Sequence, residues 1–152
     1  MAYWLMKSEP SVYSIDDLKR DGARGTGWGG VRNYQARNFL RSMRKGDLAL
    51  FYHSNAEPSA AVGVMKVVGE AEPDPTQFDP KDDHYDPDSP PAAPRWWQVQ
   101  VAFVEKFAEP VSIQDIRAEP SLKEMTLLKR GRLSVQPVTA PEWRRVLGLA
   151  GK

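Results

Sequence analysis

A chain of 152 residues, 41% hydrophobic and 27% charged, can build a core without staples, and its lack of cysteine excludes disulfides, thiol catalysis and cysteine-held metal. No apolar run approaches the ~20 residues of a membrane span, and the first ten residues lack the pattern of a secretory leader, so a cytoplasmic protein without a membrane partner is expected. The net charge of +1 conceals polarity: from Lys19 to Lys45 the only acid is Asp21, and from Glu70 to Asp88 the only base is Lys81. Such a chain either binds a polyanion with one side or pairs its two patches internally.

One domain over 1–152 is expected, and its elements read in order. Residues 2–8 alternate as a strand, with Tyr3, Leu5 and Lys7 on one face and Trp4, Met6 and Ser8 on the other. Ser14 caps a short helix that has Asp16 and Asp17 in its first turn and ends at Gly22. Trp28 then stands between Gly25, Gly27 and Gly29, Gly30, on a loop that suits a ligand platform or else closes over the core. Asn33 starts a second helix whose Ala36, Phe39, Leu40 and Met43 share an apolar face. Arg37, Arg41 and Arg44 fall on another face near Tyr34 and Asn38, as a phosphate-binding surface or an ordinary solvated one.

After a turn at Gly46-Asp47, strands are predicted over 48–54 and 61–68, the second bent or bulged at Gly63 and Gly69 as in a small closed barrel. Residues 73–94 are too rich in proline and acid for a core and read as a long surface loop with little regular structure. A strand follows over 95–107, in which Trp97, Val99, Val101 and Phe103 alternate with Trp96, Gln98, Gln100 and Ala102. Ser112 starts a short helix, 121–130 read as another, and 130–138 as a short strand flanked by bases. The last helix opens on a capping box, Thr139 with Glu142, carries Pro141 in its first turn and stops at Gly148.

Enzymatic constellations are thin. His53 and His84 lie far apart, His53 on a buried strand, and the acids of 79–88 lack the spacing of a calcium loop. Neither a phosphate-binding Walker loop nor a nucleophile elbow is present. No catalytic residue, cofactor or metal is therefore expected. The polar and aromatic set Ser8, Trp28, Asn33, Tyr34, Asn38, Ser54, Asn55 and Gln136 is richer. It supplies what an extruded nucleobase needs, stacking on its face and hydrogen bonds to its edge.

Six segments, YWLMKSEP at 3–10, YSIDDL at 13–18, WGGVRNYQARNFLR at 28–41, FYHSN at 51–55, PDPTQFDP at 73–80 and RGRLSVQPV at 130–138, together resemble the EVE domain family. The resemblance spans nearly the whole chain. It implies an α+β, PUA-like mixed β pseudo-barrel of five or six strands surrounded by short helices, akin to YTH and ASCH domains. It further implies a non-enzymatic, monomeric reader of a modified base, above all 5-methylcytosine or 5-hydroxymethylcytosine in DNA. Modified RNA and turnover of a small nucleoside are the alternatives. Nucleoid association, or a nuclear location in a eukaryote, would follow. By motif, Lys7, Ser8, Trp28, Asn33, Tyr34, Asn38, Ser54, Asn55, Gln136 and Pro137 would form the base pocket. Arg32, Arg37, Arg41, Lys45, Arg130 and Arg132 would hold phosphates. Trp28→Ala is then expected to lose base preference and keep its fold.

Overall fold

The computed structural model describes Met1–Lys152. Seven strands, β1 (Tyr3–Ser8), β2 (Thr26–Trp28), β3 (Leu48–His53), β4 (Ala60–Val67), β5 (Glu72–Pro73), β6 (Trp97–Ser112) and β7 (Val135–Val138), form one mixed sheet. Five helices accompany them: α1 (Ile15–Asp21), α2 (Tyr34–Ser42), α3 (Ile113–Ala118), α4 (Thr126–Lys129) and α5 (Ala140–Leu149). The strand order is β2-β6-β4-β3-β1-β7, with β5 on the side of β6. Only β1 and β3 run parallel. The sheet curls into a half-barrel, and β2 and β7 are its two edges.

Because β1 is central, both of its faces are buried. Trp4 and Met6 join one apolar cluster with Trp28, Phe51, Met65 and residues of α1 and α2. Leu5 joins a second with Leu50, Tyr52 and residues of α3, α4 and α5. The long β6 reaches β2, β5 and β4 in turn, and its pairing with β4 shifts register around Gly63. A Cβ at Gly63 would lie 2.3 Å from the Glu105 carbonyl oxygen, so the bulge predicted there is a close backbone approach that glycine alone allows.

Several elements differ from expectation. Trp28 ends a short strand rather than sitting on a free loop; a three-residue strand has too little alternation to be legible. The strand at 95–107 runs on to Ser112. The helix predicted over 121–130 is reduced to a 3-10 turn at Pro120–Leu122 and the four-residue α4. A helix that short has little stability of its own, and burying Leu122, Met125 and Leu127 decides the path instead. Of the strand at 130–138 only β7 forms, because the Gln136 amide donates to the Leu133 and Arg130 carbonyls and holds the preceding residues as a loop. Gly148 lies within α5, and the helix stops before Gly151, whose φ is 84°.

The segment 73–94 corrects the expectation most. It is not merely a surface loop: Asp74, Gln77 and Ser89 are buried and organised into a polar core. Gln77 donates to the Asp74 and Trp96 carbonyls and accepts from the Ser89 hydroxyl and the Trp96 backbone N–H. Proline and acid exclude an apolar core, but not a hydrogen-bonded one.

Candidate functional site

A cleft of about 500 Å³ opens where the two edges of the half-barrel approach each other. The end of β1 contributes Lys7, Ser8 and Glu9, the turn before α1 contributes Tyr13, and β2 with its extension contributes Thr26 to Arg32. His84 of the acidic segment and Ser134, just before β7, complete the wall. Edge strands carry unpaired backbone groups, so a seam between two edges is a natural place for a polar ligand.

Two aromatic rings give the cleft its apolar side. Trp28 meets Phe51 edge-on at 5.2 Å, and Tyr13 lies nearly parallel to Phe51 at 6.4 Å. Trp28 is only 7% exposed, so it is both part of the core and part of the cleft wall. The indole thus closes over the core with one part of its surface and lines the cleft with another. Burial, then the Asp21 carboxylate that accepts its hydroxyl proton, push the Tyr13 phenol well above its ordinary range. It remains a donor across the accessible pH range.

Of the residues expected to contact a base, Lys7, Ser8 and Trp28 line this cleft. Ser8 donates its hydroxyl to the Tyr13 carbonyl at 2.7 Å, which fixes the turn bearing Tyr13. Lys7 donates to the Gly131 carbonyl at 2.6 Å and sits over the Tyr52 ring, and burial lowers its pKa. Ser54 and Asn55 stand behind the cleft rather than in it. The Ser54 backbone donates to the Ser8 carbonyl, and Asn55, in the left-handed region at φ 48°, donates to the Glu9 carboxylate on the rim.

The structure places the remaining residues of the expected pocket outside this cleft. Asn33 spends its side-chain oxygen capping α2, accepting from the Ala36 N–H, and lies outside the cleft. Tyr34 stacks on Trp96 at 5.0 Å, with the Arg37 guanidinium 4.9 Å from its ring centre, and is exposed on the outside of the molecule. Asn38 accepts from the Arg37 guanidinium on the same exposed face. Gln136 is fully buried as the anchor of the 130–134 loop, and Pro137 is exposed on the β7 edge. Sequence periodicity places α2 residues together on a helix face but is silent on which way that face points.

The basic residues divide as well. Arg32 is not a free phosphate ligand. It donates to Asp74, to the Thr76 hydroxyl and twice to the His84 carbonyl, and its guanidinium lies 5.3 Å from the Trp96 ring centre. Arg37 is half-buried and committed to Asn38 and the Arg95 carbonyl. Arg41 packs over Trp97 at 4.4 Å with its guanidinium free of acids, and Lys45 is exposed. Arg130 and Arg132, with Lys129 and Asn33, surround a depression of about 260 Å³. That depression abuts the cleft: Arg32 and Ser134 line one, their chain neighbours Asn33 and Leu133 the other. Thus the two charge patches pair in part, through Arg32 with Asp74, while Arg95 pairs with Asp86; Lys129 pairs with Glu124 and Arg130 donates to Gln35, so that Arg132 is the base of the 129–132 loop without a protein partner.

Tyr13, Val31, His84 and Ser134 are cleft residues that sequence reasoning missed. Tyr13 carried a signal, as the aromatic directly before the Ser14 cap; His84 carried none, because only the polar core of its segment brings it there. His53 accepts from the Ile15 N–H at 3.2 Å, and its burial lowers its pKa, which keeps it neutral for that role. No group of three or more His, Asp or Glu side chains is placed to hold a metal.

The sequence model of the EVE domain family matches residues 2–149. Human thymocyte nuclear protein 1 is 43% identical over 168 aligned residues, which cover 99% of this chain and 75% of the human protein. The crystal structure of the human THYN1 protein in complex with DNA containing 5-methylcytosine superposes with a TM-score of 0.95 at 43% identity, covering 100% of this chain and 99% of that one. A crystal structure from Pseudomonas syringae gives 0.93 at 43% identity, covering 98% and 99%. An ASCH protein of Zymomonas mobilis, only 6% identical, still superposes with a TM-score of 0.61 over 98% of this chain and 99% of its own, so the architecture is the PUA-like one that EVE and ASCH domains share. Motifs, topology and comparisons converge on one assignment: this chain belongs to the EVE domain family.

Proposed function

We propose that this protein is a non-enzymatic reader of modified cytosine in DNA, which takes the base out of the duplex into the cleft at the barrel seam. The observation that carries the proposal is the junction of two surfaces. An aromatic-walled cleft beside Trp28 and Tyr13 adjoins a depression ringed by Lys129, Arg130 and Arg132. An extruded nucleotide carries a flat base next to a charged phosphate, and so needs adjoining surfaces of these two kinds. The human relative solved with 5-methylcytosine DNA supports the same reading. Stacking on the aromatic wall would contribute ~1–3 kcal/mol per base. Arg41, near the end of α2, and Lys45, in the turn after it, would meet more distant phosphates.

The test is a fluorescence-anisotropy titration at fixed salt. Matched duplexes carry cytosine, 5-methylcytosine or 5-hydroxymethylcytosine, with an RNA hairpin as control. Preference for one modified duplex supports the reader. Equal weak binding to every DNA would leave a basic surface only, and preference for the RNA would move the assignment to the other nucleic acid.

A charge-reversed variant, Arg130→Glu with Arg132→Glu, separates phosphate from base contacts. Its affinity is expected to fall for all duplexes alike, and the slope of log K against log salt to flatten by roughly 2, since each phosphate contact contributes about 0.9. An unchanged slope would remove these arginines from the interface.

A further inference from the structure

We propose that His84 is the specificity-determining residue that separates an amino-pyrimidine from an oxo-pyrimidine in the cleft, accepting the exocyclic amine of cytosine at its Nε2; this rests on the base-reading assignment above. A protein that recognises 5-methylcytosine faces a particular competitor. Thymine carries the same 5-methyl group and differs at position 4, where cytosine offers an amine donor and thymine a carbonyl acceptor. The methyl group cannot distinguish them, so the cleft needs a fixed acceptor.

His84 is built to be one. Asp82 Oδ1 accepts from the His84 backbone N–H at 2.8 Å and lies 3.0 Å from the ring Nδ1. A carboxylate only accepts, so the proton of the imidazole tautomer sits on Nδ1 and Nε2 is left as the acceptor. The residue is held from its other side too. Arg32 donates to the His84 carbonyl at 2.7 and 3.1 Å, and Arg32 is itself anchored on the buried Asp74. The ring thus stands on a rigid support, although it rises from a segment dense in proline and acid.

His84 lines the cleft, and Gly30 lets it stand there: a Cβ at residue 30 would lie 2.9 Å from Nε2 and 3.1 Å from Cδ2 and Cε1, so only glycine allows the extension of β2 to pack this closely against the ring. Three other polar side chains of the cleft are already engaged: Ser8 donates to Tyr13, Lys7 to Gly131, and Glu9 accepts from Asn55. Nε2 of His84 has no partner within the protein.

The experiment compares two duplexes that differ only in one base, 5-methylcytosine or thymine, each placed opposite an abasic site so that extrusion costs the same. The wild-type protein is expected to favour 5-methylcytosine by about tenfold, the usual worth of a satisfied against an opposed buried hydrogen bond. His84→Ala should bring the two affinities to within about twofold. His84→Lys presents donors only and should invert the order. Each ratio is taken within one variant, so the general gain from the added charge cancels, and circular dichroism confirms that each variant is folded. A tenfold ratio retained in His84→Ala would overturn the role of His84 and leave the reader intact. Failure of the wild-type protein to bind either duplex above an unmodified control would instead remove the base-reading assignment, and this inference with it.

Discussion

Trp28→Ala is expected to lose about 3–5 kcal/mol of folding stability, the usual cost of deleting a buried aromatic. The indole is 7% exposed, packs edge-on against Phe51 and shares a cluster with Met6, Leu40 and Val99. This revises the expectation, drawn from the glycines around it, that the variant would keep its fold. Alanine scanning at this position therefore confounds binding with unfolding. Trp28→Phe keeps an aromatic wall with a smaller cavity and should cost less. Urea denaturation of both variants checks the order, and base titration of the phenylalanine variant then reports on the cleft. A Trp28→Ala protein as stable as wild type would show that the indole belongs to the cleft alone.

Asp74→Ala should be nearly as damaging, at about 2–4 kcal/mol, because it strands a set of donors rather than a single contact. The buried carboxylate accepts from the Gly30 N–H at 2.7 Å, from the Thr76 N–H and hydroxyl, and from Arg32. Gly30 and Arg32 are cleft residues, so the same change should loosen the seat of His84 and weaken base discrimination more than general DNA affinity. Titration supplies a second reading. Burial by itself would raise the Asp74 pKa, but the bonds from Gly30, Thr76 and Arg32 outweigh it and hold the carboxyl below the ordinary aspartate value. A depressed folded-state pKa contributes stability that is present above the unfolded value, about 3.9, and is lost as pH falls through the folded value. Wild type should thus lose stability in acid below about pH 4, and Asp74→Ala should show a shallower acid limb. Parallel acid limbs in thermal melts of the two proteins would show that Asp74 carries no such linkage.

Capping chemistry was legible in the chain because it is local. Ser14, Ser112, Thr139 and Asn33 each cap a helix where the sequence places a cap; the box expected at Thr139 forms, and Ser14 and Ser112 close boxes as well. The strands expected over 2–8, 48–54 and 61–68 likewise form as β1, β3 and β4, since short apolar runs bounded by turn residues are written in consecutive positions. Short or tertiary-dependent elements were not: β2, β5 and α4 take their conformation from the partners they pack on.

The same division runs through the site. Sequence by itself determined the family and the existence of a basic stretch around α2, and it named Lys7, Ser8 and Trp28, which the fold brings to one cleft. Only the tertiary structure decided that the outer face of α2 turns away from the cleft, that Arg32 is a clamp on Asp74, and that His84 crosses from the acidic segment to stand opposite Gly30. The physical reason is range. Caps and alternation are set by interactions between residues a few positions apart, whereas the cleft is a meeting of β1, β2, the 130–134 loop and the 73–94 segment. A buried polar network of Asp74, Gln77 and Ser89 brings the last of these into place, and nothing in a proline-rich acidic stretch announces that it will be buried.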